Sequence, residues 1–352
     1  MGAAPEASAE STATQPASEP TPEEVDEGDV VRVDTTLVTV PVSVLDRQGR
    51  FIPNLKREDF TLLENGEQQS IAYFEPSEKP FTVALLLDTS ASTQFKLDEI
   101  KEAAMAFAKQ LRPQDRVLVV TFNSEVLLLT EPTNDVNLME AAIEEYAYSG
   151  TSTRLYDAVD LTIQERLNRI KGRKAIVLFT DGVDTASQQA SYQSTLDQVE
   201  ELDALIYPIQ YDTSDYMRAM QGGGTITITQ TQGGIFGGRT TQQTYTIPGN
   251  GGNGGTPLPG TTKADYDRAD RYLHALADKT GGRLYQANDT RQLADAFSRI
   301  AEELRRQYTL GYYPKTANVA DGERRQIRVR VRQPNLAVKA RDSYVKASAS
   351  PK

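Results

Sequence analysis

Three short stretches of this 352-residue chain bring oxygen-bearing side chains to the ends of apolar segments. The run Phe81-Thr-Val-Ala-Leu-Leu-Leu-Asp88 ends in Asp88-Thr89-Ser90-Ala91-Ser92, and Lys174-Ala-Ile-Val-Leu-Phe179 ends in Thr180-Asp181-Gly182. Between them lies the hydroxyl-rich Ser149-Gly150-Thr151-Ser152-Thr153, at the head of an amphipathic stretch. Two carboxylates with several hydroxyls form a hard, all-oxygen donor set. Such a set suits Mg²⁺, with Mn²⁺ or Ca²⁺ as alternatives, and not Zn²⁺ or Cu²⁺. Only two acids would hold the ion, so it would stay electrophilic and able to exchange a water for a carboxylate from outside.

The elements that must position these groups follow from periodicity. Phe81–Asp88 is apolar throughout, as a strand buried on both faces is. The sequence predicts helices at 97–111, 136–146, 155–170, 192–202, 265–279 and 291–307. It predicts strands at 116–122, 125–130, 174–180, 205–211 and 283–286. Strands alternating with helices give a doubly wound, mainly parallel α/β sheet. The short link between 116–122 and 125–130 makes one edge strand antiparallel. In open α/β sheets ligands sit beyond the carboxyl ends of the strands, where Asp88 and Asp181 fall.

The flanks alternate with period two. Residues 31–46, 60–63 and 70–74 read as strands, with Asn65-Gly66 as a hairpin turn; 308–314, 325–332 and 338–344 read likewise. Neither flank is a domain alone, but together they reach the size of an immunoglobulin-like sandwich; two separate small β elements packed on the α/β domain are the alternative. The expected organisation is an acidic, Pro-rich disordered tail at 1–29, a split β-sandwich from 30–79 and 308–347, and an α/β domain at 80–307 inserted between its halves. A segment at about 213–262 holds thirteen of the 24 glycines. It is expected to be partly disordered, with TITIT and TYTIP available for a loose hairpin.

The pattern D-x-S-x-S, a later Thr before a helix, and T-D-G at a strand end resembles the metal-ion-dependent adhesion site of von Willebrand factor A domains, as in integrin inserted domains. The resemblance implies a Rossmann-like fold over 81–307. It implies Asp88, Ser90, Ser92 and Asp181 as metal ligands, some of them through water. For the threonine, the family's Thr, four residues, Ala and an aliphatic matches Thr153 followed by Ala158-Val159 better than it matches Thr151. More narrowly, VTVPVSVLDRQGRFIPNLKREDFTLLENGEQQSIAYF, YTLGYYP, RQIRVRV and ARDSY resemble a bacterial family of von Willebrand factor A-related proteins common in Acidobacteria. The glycine-rich segment departs from that pattern.

The expected function is therefore metal-dependent recognition of a protein that presents an Asp or Glu carboxylate, as in adhesion or assembly outside the cytoplasm. A metal-dependent phosphatase or hydrolase is the rival, since paired Asp and Mg²⁺ also serve phosphoryl transfer. Against it, an aspartyl nucleophile on such a sheet needs a second Asp two residues on, where this chain has Ser90, and no His or Lys adjoins the motif. A scaffold with a vestigial metal site is the third reading.

Composition narrows the rest. The chain has no cysteine, so thiolate chemistry and disulfides are excluded. Its formal net charge is −11, which argues against a general nucleic-acid binder. The charge is uneven: residues 1–30 carry eight acids and no Lys or Arg, whereas 305–352 carry twelve Lys or Arg against three acids. No stretch approaches the roughly 20 apolar residues of a membrane helix. The first residues lack the basic and apolar regions of a signal peptide, and the sequence is expected to start after a processed one. Any one of Asp88 or Ser90 would serve as a helix cap. His274, the single histidine, reads as structural. Arg328, Arg330 and Arg332 read as a solvated strand face. Gly249–Gly254 matches G-x-G-x-x-G but lacks the flanking strand and helix of a nucleotide site.

Overall fold

In the computed structural model, the described residues are 2, 37–48, 50–76, 79–147, 150–211, 213, 224–232, 239–247, 260–287, 290–315 and 323–345. The acidic tail, residues 31–36 and Ser149 lie outside them, Gly2 excepted. The first flank gives β1 (Val38–Leu45), β2 (Phe60–Glu64), β3 (Glu67–Gln69) and β4 (Ile71–Glu75). Asn65 and Gly66 both take positive φ, 49° and 85°, which a two-residue hairpin requires. The hairpin closes on the short β3, so two strands stand here where the sequence suggested one.

The α/β region follows in chain order: β5 (Phe81–Asp88), α1 (Leu97–Ala108), β6 (Arg116–Phe122), β7 (Val126–Thr133), α2 (Val136–Tyr146), α3 (Leu155–Leu161), β8 (Arg173–Thr180), α4 (Tyr192–Glu201), β9 (Leu205–Gln210), β10 (Gly224–Gln232), β11 (Arg239–Ile247), α5 (Lys263–Thr280), β12 (Tyr285–Gln286) and α6 (Thr290–Arg305). Six strands form one sheet in the order β12-β9-β8-β5-β6-β7. Every pairing is parallel except β6 with β7, which is antiparallel as the short link requires. Side chains alternate between two apolar cores. Leu85, Leu87, Val117, Val177 and Phe179 pack with α1, α2 and α6, while Leu86, Val120, Ile176 and Leu178 pack with α3, α4 and α5. Two covered faces explain the unbroken apolar run of β5.

The helix expected over 155–170 is α-helical only to Leu161. A π-helical stretch at Thr162–Arg166 and a 3₁₀ turn at Leu167–Arg169 complete it. Thr162 donates its hydroxyl to the Ala158 carbonyl at 2.7 Å, at the point where the pitch changes. Such back-bonding loosens a helix locally. In the glycine-rich segment β10 and β11 pair antiparallel from Gly224↔Ile247 to Gln232↔Arg239, which realises the hairpin available to TITIT and TYTIP. Residues 214–223, 233–238 and 248–259, to which the expectation of disorder also applies, lie outside the described residues, and so does the Gly249–Gly254 match.

The second flank gives β13 (Tyr308–Tyr312), β14 (Arg324–Val331), β15 (Ala337–Ala340) and β16 (Ser343–Val345). The strand expected over 338–344 is thus two strands. Arg341 turns inward, 7 % exposed, and donates to the Thr39 carbonyl at 2.5 Å. The Asp342 carbonyl accepts from Ile327 N at 2.7 Å, so the chain leaves one sheet for the other. The two four-stranded sheets, β15-β1-β13-β4 and β16-β14-β2-β3, each combine both flanks. They share one core that includes Val40, Val42, Phe60, Leu62, Tyr308 and Ile327.

The flanking sheets are fastened to the α/β region at the end of α5. Gly281 caps α5 with φ 82°, and a Cβ there would meet the Ala340 carbonyl carbon at 2.6 Å. Glu200 on α4, 1 % exposed, binds both Lys279 of α5 and Arg324 of β14. Thr39 of β1 donates to Asp203 at 2.8 Å. Among the described residues, no helix is long and apolar enough to cross a membrane.

Candidate metal centre

Asp88 is the last residue of β5, and Asp181 follows directly on β8. These strands are hydrogen-bonded neighbours running in parallel, with Leu87 level with Phe179. Their carboxylates therefore emerge together at the carboxyl rim of the sheet. Both are buried, at 0 % and 1 % exposure.

Each carboxylate is held by the turn that follows it. Asp88 Oδ1 accepts from Ser90 N at 2.9 Å, and Asp181 Oδ1 accepts from Val183 N at 3.0 Å. Thr93 donates its hydroxyl to the Asp88 and Ser90 carbonyls at 3.0 and 2.9 Å, which winds the chain into the 3₁₀ turn Ala91–Lys96 and aims both serines back at the rim. Ser90 Oγ and Ser92 Oγ are 3.2 Å apart. Ser92 also hydrogen-bonds Asp181, so the first turn reaches the second carboxylate. Gly182 takes φ 86°, and a Cβ there would meet the Leu273 side chain of α5 at 2.9 Å. Only glycine fits the third place of T-D-G at this close approach.

The third loop reaches the rim through its backbone. Gly150 N donates to the Thr89 carbonyl at 2.8 Å and Arg154 N to the Asn123 carbonyl at 3.0 Å. Thr153, 4 % exposed, donates its N–H to Thr185 Oγ1 at 2.9 Å, and its carbonyl accepts from Thr185 N and Ala186 N. The structure thus links Asp88, Ser90, Ser92 and Asp181 directly. Thr153 is bound to the loop after Asp181, and among the described residues no hydrogen bond joins its hydroxyl to either carboxylate. Asp157 fastens the same loop. Burial pushes its carboxyl up, but N–H groups of Ala190, Gln188 and Gln189 and the Arg154 cation outweigh that and hold it below the usual range.

The electrostatics of the pair are unfavourable without a cation. Burial, and then the charge of Asp181, push the Asp88 carboxyl up to about 8, against hydrogen bonds from Ser90 and Thr180. Burial raises Asp181 as well. Among the described residues no Lys, Arg or His forms an ion pair with either. Two buried like charges need a proton or a cation between them. The donors on offer are carboxylate and hydroxyl oxygens, which fit a hard divalent ion and offer nothing soft. Among the described residues no cluster of three or more His, Cys, Asp or Glu forms a metal-binding group, so any cation here relies on two acids and the hydroxyls.

Three residues at the rim go beyond the ligand set read from the sequence, Thr180 among them although it opens the T-D-G motif. Thr180 donates to Asp88 Oδ2 at 2.6 Å and accepts from Gly182 N at 2.9 Å. Thr213 donates to Asp181 Oδ2 at 3.1 Å and lies 2.9 Å from the Tyr266 hydroxyl. Asn123 donates to Thr89 Oγ1 at 3.0 Å. All three stand at or just beyond the carboxyl end of a strand, and that position was the available signal.

Residues 83–183 match the family model described as von Willebrand factor type A domain, and the chain carries such a domain. Its structure is similar to that of the conserved hypothetical protein BatB from Bacteroides thetaiotaomicron, at 15% identity over 64% of this chain and 98% of that one, with a TM-score of 0.40. It is also similar to a von Willebrand factor type A protein from Catenulispora acidiphila, at 10% identity over 83% of this chain and 74% of that one, TM-score 0.44. A third likeness is to the vWF domain of the type V pili tip protein Mfa5 from Porphyromonas gingivalis, at 18% identity over 32% and 40% of the two chains, TM-score 0.29. No curated protein matches by sequence.

Proposed function

We propose that the von Willebrand factor type A domain of this chain is a metal-dependent protein-binding module. Asp88, Ser90, Ser92, Thr153 and Asp181 would hold one Mg²⁺, or Mn²⁺ or Ca²⁺, and the ion would bind an Asp or Glu carboxylate of a partner protein. The observation that carries this reading is the pair of buried carboxylates, Asp88 and Asp181, with hydroxyls bonded among them and, among the described residues, no ion pair to a cationic side chain. A cation there relieves the like-charge repulsion. With only two acidic ligands it keeps the positive charge that attracts an outside carboxylate.

A binding role is favoured over hydrolysis because the residue two places after Asp88 is Ser90, which cannot act as an acid or base near neutral pH. His274 is engaged instead with the Asp270 carbonyl on the exposed side of α5. We further read the two four-stranded sheets as one split immunoglobulin-like sandwich with the type A domain inserted in it. An extracytoplasmic setting is compatible with this reading: a chain without cysteine carries no risk of misplaced disulfides on export.

The test is capture of envelope proteins on the immobilised full chain, with Mg²⁺ or with EDTA, beside Asp88→Ala. Capture that requires Mg²⁺ and disappears in Asp88→Ala is expected. Capture unchanged by EDTA contradicts the mechanism. Turnover of a generic phosphoester by the wild type and not by Asp88→Ala would favour the hydrolase.

A further inference from the structure

Strand β14 alternates strictly between two faces. Arg325 points inward, where it is 6 % exposed by side chain and paired with Glu64 at 3.0 Å. Arg324, Gln326, Arg328 and Arg330 are exposed on the opposite face. The fold neutralises the arginine it buries. Among the described residues Arg328 and Arg330 form no ion pair.

These two arginines line a groove of about 670 Å³ between the outer face of β14 and the last turn of α5, together with Lys279, Arg324, Gln326 and Asp342. Lys279 and Arg324 share a single counter-charge, Glu200. Among the described residues Asp342 is the only carboxylate in the lining, and it accepts from the Ser343 hydroxyl at 2.9 Å. Four cations thus stand against two acids, an excess of two positive charges in a chain whose net charge is −11. The groove also stands away from Asp88 and Asp181. Gly182, next to Asp181, packs against Ala269 and Leu273 in the middle of α5, whereas Lys279 is on its last turn.

We infer that this groove binds an extended acidic peptide segment of a partner protein through Arg328 and Arg330. The two arginines occupy alternate positions of one strand face, so their Cα atoms are about 6.5–7 Å apart along the strand. An extended peptide with acids at every second position repeats at the same interval, and each guanidinium can fork onto one carboxylate. Among the described residues the lining has no aromatic side chain on which a sugar ring or a nucleobase would stack, which sets the groove apart from glycan and single-strand nucleic-acid sites. Recognition here needs no metal, so it stands independently of the Asp88 site.

The test is fluorescence anisotropy with the full chain in EDTA and low salt, using a labelled (Glu-Val)₅ peptide, a (Gln-Val)₅ peptide, a heparin oligosaccharide and oligo-dT. The variants are Arg328→Gln with Arg330→Gln and, as a control of equal charge change, Arg169→Gln with Lys171→Gln, both exposed on the α/β region. Binding of the acidic peptide and not the neutral one is expected. It should weaken about tenfold or more in the groove variant, as losing charged contacts does, and stay at the wild-type level in the control. Equal binding by wild type and groove variant, or equal loss in the control, overturns the site. Tighter binding of heparin or oligo-dT than of the peptide overturns the choice of partner. Because all four residues are exposed, the variants keep their fold, which circular dichroism and an unchanged Tm verify.

Discussion

Thr180 Oγ1 donates to Asp88 Oδ2 at 2.6 Å across two adjacent parallel strands. The same oxygen accepts from Gly182 N at 2.9 Å, so one hydroxyl sets both the first carboxylate and the turn that carries the second. Thr180→Val keeps the shape of this fully buried side chain and removes the hydroxyl. The expected cost is about 1–3 kcal/mol of stability, measured by urea unfolding, since a buried acceptor loses its donor. Metal affinity should fall about 10–100-fold, as it does when a ligand loses the group that orients it.

The raised Asp88 carboxyl makes stability depend on pH in a defined direction. Folded Asp88 holds its proton up to about 8, whereas an unfolded Asp releases it near 3.8. The unfolded chain therefore binds fewer protons between those values. The contribution of Asp88 is fully present below about pH 3.8 and is lost progressively as pH rises through about 8. In EDTA, Tm should fall more steeply from pH 5 to 8.5 for the wild type than for Asp88→Asn, and saturating Mg²⁺ should flatten the wild-type curve. Parallel curves for the two proteins in EDTA would contradict this.

Gly182→Ala tests the junction between the site and α5. Its positive φ strains any side chain, and the new Cβ would meet Leu273 at 2.9 Å. A loss of about 1–3 kcal/mol is expected from the strain. Pairing it with Leu273→Ala should recover the steric part while the backbone part persists, as unfolding of the single and double variants would reveal.

Glu64 is the polar centre of the flanking sheets. It accepts from Tyr312 at 3.0 Å and Tyr344 at 2.6 Å, and it pairs with buried Arg325. The network ties β2 to β13, β14 and β16 and so joins the two sheets and the two flanks. Glu64→Ala leaves the Arg325 charge buried without a partner, at a cost of about 3–5 kcal/mol. If the flanks unfolded separately from the α/β region, the loss would appear in only one of two transitions.

The α/β order could be read from the chain because its signals are local. Phe81–Asp88, Arg116–Phe122 and Val136–Tyr146 end where apolar periodicity ends, and the short link before Val126 fixes the antiparallel edge. What escaped depended on contacts distant in sequence. The break between Ala340 and Ser343 arises because buried Arg341 reaches Thr39, 302 positions away. The alternation of apolar residues there gives no sign of it. The same holds at the site. Asp88, Ser90, Ser92 and Asp181 stand in short motifs, but Thr213 and Asn123 matter only because the sheet delivers their strand ends to the same rim. Thr162, an ordinary helix residue by spacing, donates its hydroxyl to the Ala158 carbonyl where the α-helix gives way to the π-helical stretch.

The proposed function requires that Asp88 and Asp181 share one divalent cation. The decisive experiment is titration of the full chain with Mn²⁺, followed by electron paramagnetic resonance of the free ion, with Asp88→Ala and Asp181→Ala alongside. One Mn²⁺ per wild-type chain, displaced by Mg²⁺ and absent from both variants, is the predicted result. Wild-type chains that take up no Mn²⁺, or variants that take up as much as the wild type, would contradict it.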